Sequence, residues 1–152
     1  SFKWVFDVNL FSVVQLTKAL IPALKAAKGK AIYVSSGAST NGYQAWSAYG
    51  ASKAALNLVV STLATEEPEI TAVSVAPGVV DTDMQVLIRG KADEQQMSSS
   101  DMEKFHSLKR DNNLVDPRDS GKTYGDLALY APKELSGKYL RYNDPEVTSV
   151  GK

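Results

Sequence analysis

Two short apolar runs, residues 30–35 (Lys-Ala-Ile-Tyr-Val-Ser) and 71–76 (Thr-Ala-Val-Ser-Val-Ala), lie between long stretches of helical periodicity. That alternation restricts the fold more than any other feature of the chain. Runs of this length, mostly apolar and rich in β-forming residues, suit parallel strands covered on both faces. Helical patterns between them predict βαβ units, hence an α/β fold built on a parallel sheet. With 152 residues and 43% hydrophobic content there is material for one core, so residues 1–152 are expected to share a single domain.

Residues 4–28 place Val13, Leu16, Leu20 and Leu24 on one stripe, which predicts a long helix facing a core. Pro22 removes a backbone donor inside it and predicts a kink or restart, and Gly29 supplies the stop. A loop of small residues begins at Ser36, Gly37, Ala38 and Ser39. Residues 46–67 then repeat Ala48, Ala51, Ala55, Leu58, Val59 and Leu63 at helical spacing before Pro68. Pro77-Gly78 ends the second strand, and Thr82-Asp-Met-Gln85 and Ser100-Asp-Met-Glu103 fit capping boxes for two further helices. Residues 86–116 turn polar and charged and read as a mobile insertion over the sheet. Asp116-Pro117 offers an N-cap with proline at the first helical position, with Tyr124, Leu127, Ala128 and Ala131 as the buried stripe behind it. A last strand is expected over residues 138–142, after the Ser136-Gly137 turn.

Seventeen basic residues balance seventeen acidic ones, so no net field draws nucleic acid or an anionic membrane. No cysteine is present, which removes disulfides, thiolate nucleophiles and zinc–sulfur sites and is compatible with a reducing, cytoplasmic setting. Continuous apolar runs stay far below the ~20 residues of a membrane helix. No metal site is expected. His106, the one histidine, has no acidic or serine partner at an informative spacing and reads as a solvated helix residue. Ser120-Gly-Lys-Thr123 imitates the end of a phosphate-binding loop, but Asp116 stands where that pattern needs glycine.

Tyr49-Gly-Ala-Ser-Lys53 sets a phenol and an ammonium four residues apart, on the same helix face one turn apart. A nearby cation favours the phenolate and turns tyrosine into a usable general acid or base near neutrality. The plain alternative is a half-buried aromatic beside a solvated lysine. Ser36 lies thirteen residues earlier, just past a strand's C-terminal end, where ligands sit in open α/β sheets; its hydroxyl could bind a carbonyl oxygen as charge develops, or simply serve a turn. Pro77-Gly78-Val-Val-Asp-Thr82 ends the next strand at the same edge and leads into a helix N-terminus suited to amide or phosphate contacts.

Asn9 within DVNLF, Ser36 after IYVS, the YGASK segment and the VAPGVVDTDM segment follow one another as the landmarks of the classical short-chain dehydrogenase/reductase family do, and the chain resembles that family over essentially its whole length. VAPGVVDTDMQ and GKYLRYND are most similar to its sepiapterin reductase and benzil reductase-like members. The resemblance implies the C-terminal part of a Rossmann-type doubly wound parallel sheet with helices on both faces. The family's N-terminal Gly-rich βαβ half, with its pyrophosphate cradle, would precede Ser1. The strand of residues 30–35 would then present an open edge, and the chain alone would hold cofactor poorly.

By the same resemblance, Tyr49 would protonate the substrate carbonyl, Lys53 would lower its pKa and hold the nicotinamide ribose, and Ser36 would orient the carbonyl. Asn9 would sit at a helix irregularity and support a water linking the lysine to solvent. Pro77, Gly78, Val80 and Thr82 would face the nicotinamide, residues 86–116 would close over substrate, and Tyr43 and Trp46 would line its pocket or merely pack. The implied function is an NAD(P)H-dependent carbonyl reductase acting on a small-molecule ketone, with NADP as cofactor by analogy and NAD possible, assembled as a homodimer or homotetramer when intact. Two competing readings are a nucleotide-sugar epimerase or dehydratase and a noncatalytic scaffold or relic.

Overall fold

The computed structural model describes residues 1–90 and 97–152. The chain opens with α1 (Phe2–Phe6), a π-helical turn (Asp7–Phe11) and α2 (Ser12–Ala26), which run on as one helix, then β1 (Lys30–Val34) and a 3-10 turn (Gly37–Ser39). Next come α3 (Ser47–Glu66), β2 (Thr71–Ala76), α4 (Asp83–Gly90), α5 (Ser99–Arg110) and α6 (Pro117–Tyr130). A 3-10 turn (Lys133–Leu135), β3 (Tyr139–Arg141) and α7 (Pro145–Thr148) complete it.

The three strands form one parallel sheet in the order β1-β2-β3, with Lys30 opposite Thr71 and Val75 opposite Leu140. The central strand β2 is buried at every position, as an apolar run between two covered faces requires. The edge strand β1 is only partly covered, and its Val34 is exposed. One face packs Val73, Val75 and Leu140 against Leu127, Ala131 and Val147. The other packs Tyr33 and Ala72 against Leu10, Leu56, Val60 and Leu63. Helices therefore cover both faces, as expected.

Several local expectations change. The helix does not restart at Pro22, which lies within α2; the irregularity comes earlier, at Asp7–Phe11. The stop is a Schellman motif: Gly29 N–H donates to Leu24 O at 2.7 Å and Lys28 N–H to Lys25 O at 3.0 Å. Lys28 rather than Gly29 adopts the left-handed conformation, at φ 46°, for which an L-residue pays roughly 1–2 kcal/mol.

Both long helices keep part of the predicted stripe inward, Val13 on α2 and Ala55, Val59 and Leu63 on α3, but turn other members of it to the surface. Leu16 is 62% exposed and Leu58 70% exposed, while the buried face of α3 holds Ser52, Leu56, Val60 and Leu63. These helices carry apolar residues on more than one side, so spacing alone could not choose. For the same reason the whole helical stretch Phe2–Ala26 is long and apolar enough to cross a membrane, although none of its uninterrupted apolar runs approaches that length; one side of it packs on α3 and β1.

Caps differ as well. The cap of α5 is Ser98, which accepts from Asp101 N–H at 3.1 Å, two residues before the expected Ser100. The Thr82 hydroxyl donates to Val80 O at 3.4 Å and so does not close the box with Gln85. The Asp116 cap on α6 forms as expected, accepting from Arg118 N–H at 2.8 Å, but Ala128 on that helix is exposed. Within residues 86–116, residues 91–96 lie outside the described residues. The rest is not uniformly polar surface, because Ile88, Met102 and Phe105 are buried.

Candidate active site

All three strand ends open on one cleft of about 950 Å3. Its lining includes Ser36 after β1, Tyr49 on α3, and Pro77, Gly78, Val80 and Thr82 after β2. Tyr43, Trp46 and Phe105 also face it. Lys53 and Asn9 are not among the lining residues; Asn9 connects to the lining Tyr49 through Ser52, and Lys53 bonds the backbone of β1.

Ser36 is placed by a chain of hydrogen bonds under its loop. Its hydroxyl accepts from Ala38 N–H at 3.1 Å, which caps the 3-10 turn. Its carbonyl accepts from the Ser39 hydroxyl at 2.6 Å and the Tyr139 hydroxyl at 3.1 Å. The Ser39 hydroxyl in turn accepts from Asn57 Nδ2 at 2.9 Å, and Asn57 Oδ1 accepts from the buried Ser35 hydroxyl at 2.6 Å. Gly50 is required by closeness: a Cβ there would stand 2.7 Å from Ala38 O, so α3 and the serine loop touch backbone to backbone.

Tyr49 is held by packing and by a relay behind it. Trp46 meets its ring edge-on, with centroids 5.7 Å apart and planes at 79°. Behind it, Asn9 Nδ2 donates to the fully buried Ser52 hydroxyl at 3.1 Å, and that hydroxyl donates to Tyr49 O at 2.7 Å. Asn9 lies in the π-helical turn, a distortion common at functional sites. Here it ties the first helix to the tyrosine's own carbonyl.

Lys53 extends from the next turn of α3 and donates to Val34 O at 2.8 Å. Burial holds its ammonium below the usual lysine range, because desolvation disfavours the charged form. Tyr124 behind the sheet moves the opposite way: burial first, then Tyr139 and Tyr49, push its phenol upward. Its hydroxyl is fixed on Val75 O at 2.7 Å.

Tyr43, Trp46 and Phe105 form one aromatic wall. Trp46 and Phe105 stack at 5.6 Å and 26°, and Tyr43 lies 5.5 Å from Trp46. Ala45 between them takes a positive φ of 66°, a strain that rigid surroundings must hold. Lys104 donates to the Tyr43 hydroxyl at 2.9 Å and lies 4.9 Å from the centroid of that ring. After β2, Gly78 at φ 81° turns the chain where a Cβ would strike Tyr142 Cε1 at 2.6 Å. Sequence reasoning missed Ser35, Ser39, Asn57, Phe105 and Tyr139. Asn57 carried a signal, being a polar residue on the same helix face as Tyr49 and Lys53, eight and four residues on.

A family model described as short chain dehydrogenase matches residues 1–93. The chain is 44% identical to benzil reductase ((S)-benzoin forming) of Saccharomyces cerevisiae, covering 96% of this chain and 57% of that protein. It is 33% identical to sepiapterin reductase of Bos taurus, covering 91% of this chain and 51% of that protein. A crystal structure of a short chain dehydrogenase/reductase from Saccharomyces cerevisiae superposes with a TM-score of 0.93 at 42% identity, over 99% of this chain and 60% of that one. The chain thus spans a half to three-fifths of the length of these relatives.

Proposed function

The chain belongs to the short-chain dehydrogenase family of oxidoreductases, with a Rossmann-type fold, and from that premise we propose that it is the catalytic part of an NAD(P)H-dependent carbonyl reductase. The observation that carries this reading is that Ser36 and Tyr49 line one cleft at the sheet's C-terminal edge, with Lys53 one turn along the same helix as Tyr49. The benzil reductase relative supports a ketone or diketone flanked by aromatic rings as substrate, and the Tyr43, Trp46 and Phe105 wall offers such rings a stacking surface.

The residues present fit a nicotinamide ribose and carboxamide. Lys53 has three N–H donors, of which one is engaged by Val34 O among the described residues, so two are left for ribose hydroxyls. Gly78, Val80 and Thr82 bring backbone groups and a hydroxyl to the same cleft. When bound, the dinucleotide, NADPH in this proposal, supplies the hydride. Ser36 would donate to the carbonyl oxygen and steady its developing charge. Tyr49 would pass its phenolic proton to that oxygen, and Lys53 would hold positive charge beside the phenolate left behind. The Asn9–Ser52 relay would fix the helix turn from which Tyr49 acts. The proposal includes a homodimeric or homotetrameric full-length protein, supported by the outward apolar residues Trp4, Leu16 and Leu58.

Tyr49→Phe in the full-length protein tests the reading. Turnover of a benzil-type diketone should fall roughly 100- to 10,000-fold while dinucleotide affinity stays within a few-fold. Unchanged turnover would remove Tyr49 from the chemistry and the reductase reading with it.

A further inference from the structure

The cleft contains a cation that the fold does not use. Arg110 is paired with Glu103 and Asp111, Arg118 with Asp116, and Arg89 lies 3.4 Å from Gln85 Oε1. The Arg141 guanidinium has no partner among the described residues; Asp144 takes its backbone N–H instead, at 2.7 Å. Yet Arg141 lines the same cleft as Ser36 and Tyr49.

Its place in β3 explains why. Leu140 points into the core, so alternation puts Tyr139 and Arg141 together on the other face. Tyr139 reaches the Ser36 carbonyl, and two residues of strand cover roughly 6–7 Å. Arg141 therefore stands about that far beyond Tyr139, toward the edge where the reacting groups open. Lys104 is the other cation on the lining, and Asp101, which accepts from the Ser98 hydroxyl, is the one carboxylate among the described lining residues. The described lining residues carry two cations to one carboxylate, although the chain is neutral and Asp144 stands at the Arg141 backbone. An exposed, unpaired guanidinium in a cleft that also has an aromatic wall suits a planar anion, since its fork matches a carboxylate with two parallel hydrogen bonds.

We propose that Arg141 is a substrate anchor and that the cleft takes an aromatic carbonyl compound bearing a carboxylate, an aryl 2-oxo acid being the simplest, with its ring on the Tyr43–Trp46–Phe105 wall and its carboxylate on Arg141. The inference rests on the carbonyl-reductase reading and names its substrate class. In the reaction the carbonyl carbon gains the dinucleotide's hydride, the C=O π bond breaks, the oxygen takes the Tyr49 proton, and NAD(P)H leaves as NAD(P)+. The product is a 2-hydroxy acid whose carboxylate is unchanged.

The test compares benzoylformate with its methyl ester on the full-length protein, using NADPH, for the native sequence and for Arg141→Met and Arg141→Lys. The ratio of kcat/KM for acid over ester should fall roughly 10- to 100-fold in Arg141→Met, the scale of a lost charged hydrogen bond, and recover in part in Arg141→Lys. An unchanged ratio overturns the anchor and leaves the reductase reading intact. A raised KM for NADPH with both substrates alike overturns it too, assigning Arg141 to a cofactor phosphate. Benzoylformate binding, followed by tryptophan fluorescence, separates the remaining cases. Binding that is lost in Arg141→Met, without reduction of either compound by the native protein, supports the anchor, and the reductase reading then falls only if a benzil-type diketone is not reduced either; no binding and no reduction of benzoylformate overturns the anchor.

Discussion

On one face of the sheet, β2 and β3 meet the C-terminal helices through Val73, Val75, Leu140, Leu127, Ala131 and Val147, all buried and all apolar. On the other, the first helix and α3 press Leu10, Leu56, Val60 and Leu63 onto β1 and β2, but bury Ser35 and Ser52 with them and turn Trp4, Leu16 and Leu58 outward. The groups assigned to chemistry hang on the second face: Tyr49 and Lys53 on α3, Asn9 on the first helix, Ser36 on the loop wedged against α3. The first layer, mainly apolar but with the Ser120 and Tyr124 hydroxyls bonded to Pro77 O and Val75 O, serves stability. The polar layer gives up apolar burial to hold a loop and a helix turn in register, and its buried hydroxyls are tolerated because each is bonded, no buried side-chain polar atom among the described residues lacking a partner.

The largest expected effect sets the two layers against each other. Leu127→Ala empties a fully buried position and should cost about 2–5 kcal/mol, whereas Leu58→Ala, at an exposed one, should stay within about 0.5 kcal/mol. Urea unfolding of the full-length variants checks both, and similar losses would erase the contrast. Leu58→Ala would also shift the association state by light scattering if its outward stripe joins subunits.

Next comes Gly50→Ala, which adds a Cβ 2.7 Å from Ala38 O. Overpacking of this kind costs about 1–3 kcal/mol. Because the clash falls on the serine loop, kcat should drop further than the stability loss accounts for. A variant with native kcat would show that the close approach of α3 does not position Ser36.

The smallest effect is the most diagnostic of the polar layer. Burial lowers the Lys53 pKa from 10.5, so between the folded value and 10.5 the unfolded chain binds more protons and stability rises with pH. The penalty is full below the folded value and lifts as pH approaches 10.5. Lys53→Met should therefore raise the Tm of cofactor-free protein at neutral pH, by a margin that shrinks toward 10.5, while turnover collapses. A Tm difference that does not vary with pH would mean the ammonium is not desolvated.

The strand over Thr71–Ala76 and the Asp116-Pro117 helix start were readable because the cues lie within a few residues: an unbroken apolar run and a capping carboxylate before proline. That Tyr49 and Lys53 lie one turn apart on α3 was readable for the same reason, one helical turn being local geometry. The inward faces of α2 and α3 were readable only in part: Val13, Ala55, Val59 and Leu63 face the core as their spacing predicts, whereas Leu16 and Leu58, equally apolar, lie outside it. Phe105, Tyr139 and Arg141 gave no signal, being 56, 90 and 92 residues from Tyr49 in the chain.

What the amino-acid order settles here is the list of elements, their sequence along the chain and the placing of Tyr49 and Lys53 one turn apart on one helix, because backbone hydrogen bonding and helical spacing act over a turn or two. Tertiary structure decided which helix face is wet, that Asn9 reaches Tyr49 through Ser52, and that a strand-end arginine shares a cleft with Ser36. Those outcomes depend on contacts between elements tens of residues apart, whose free energy comes from burial and shape and leaves no periodic trace in either partner.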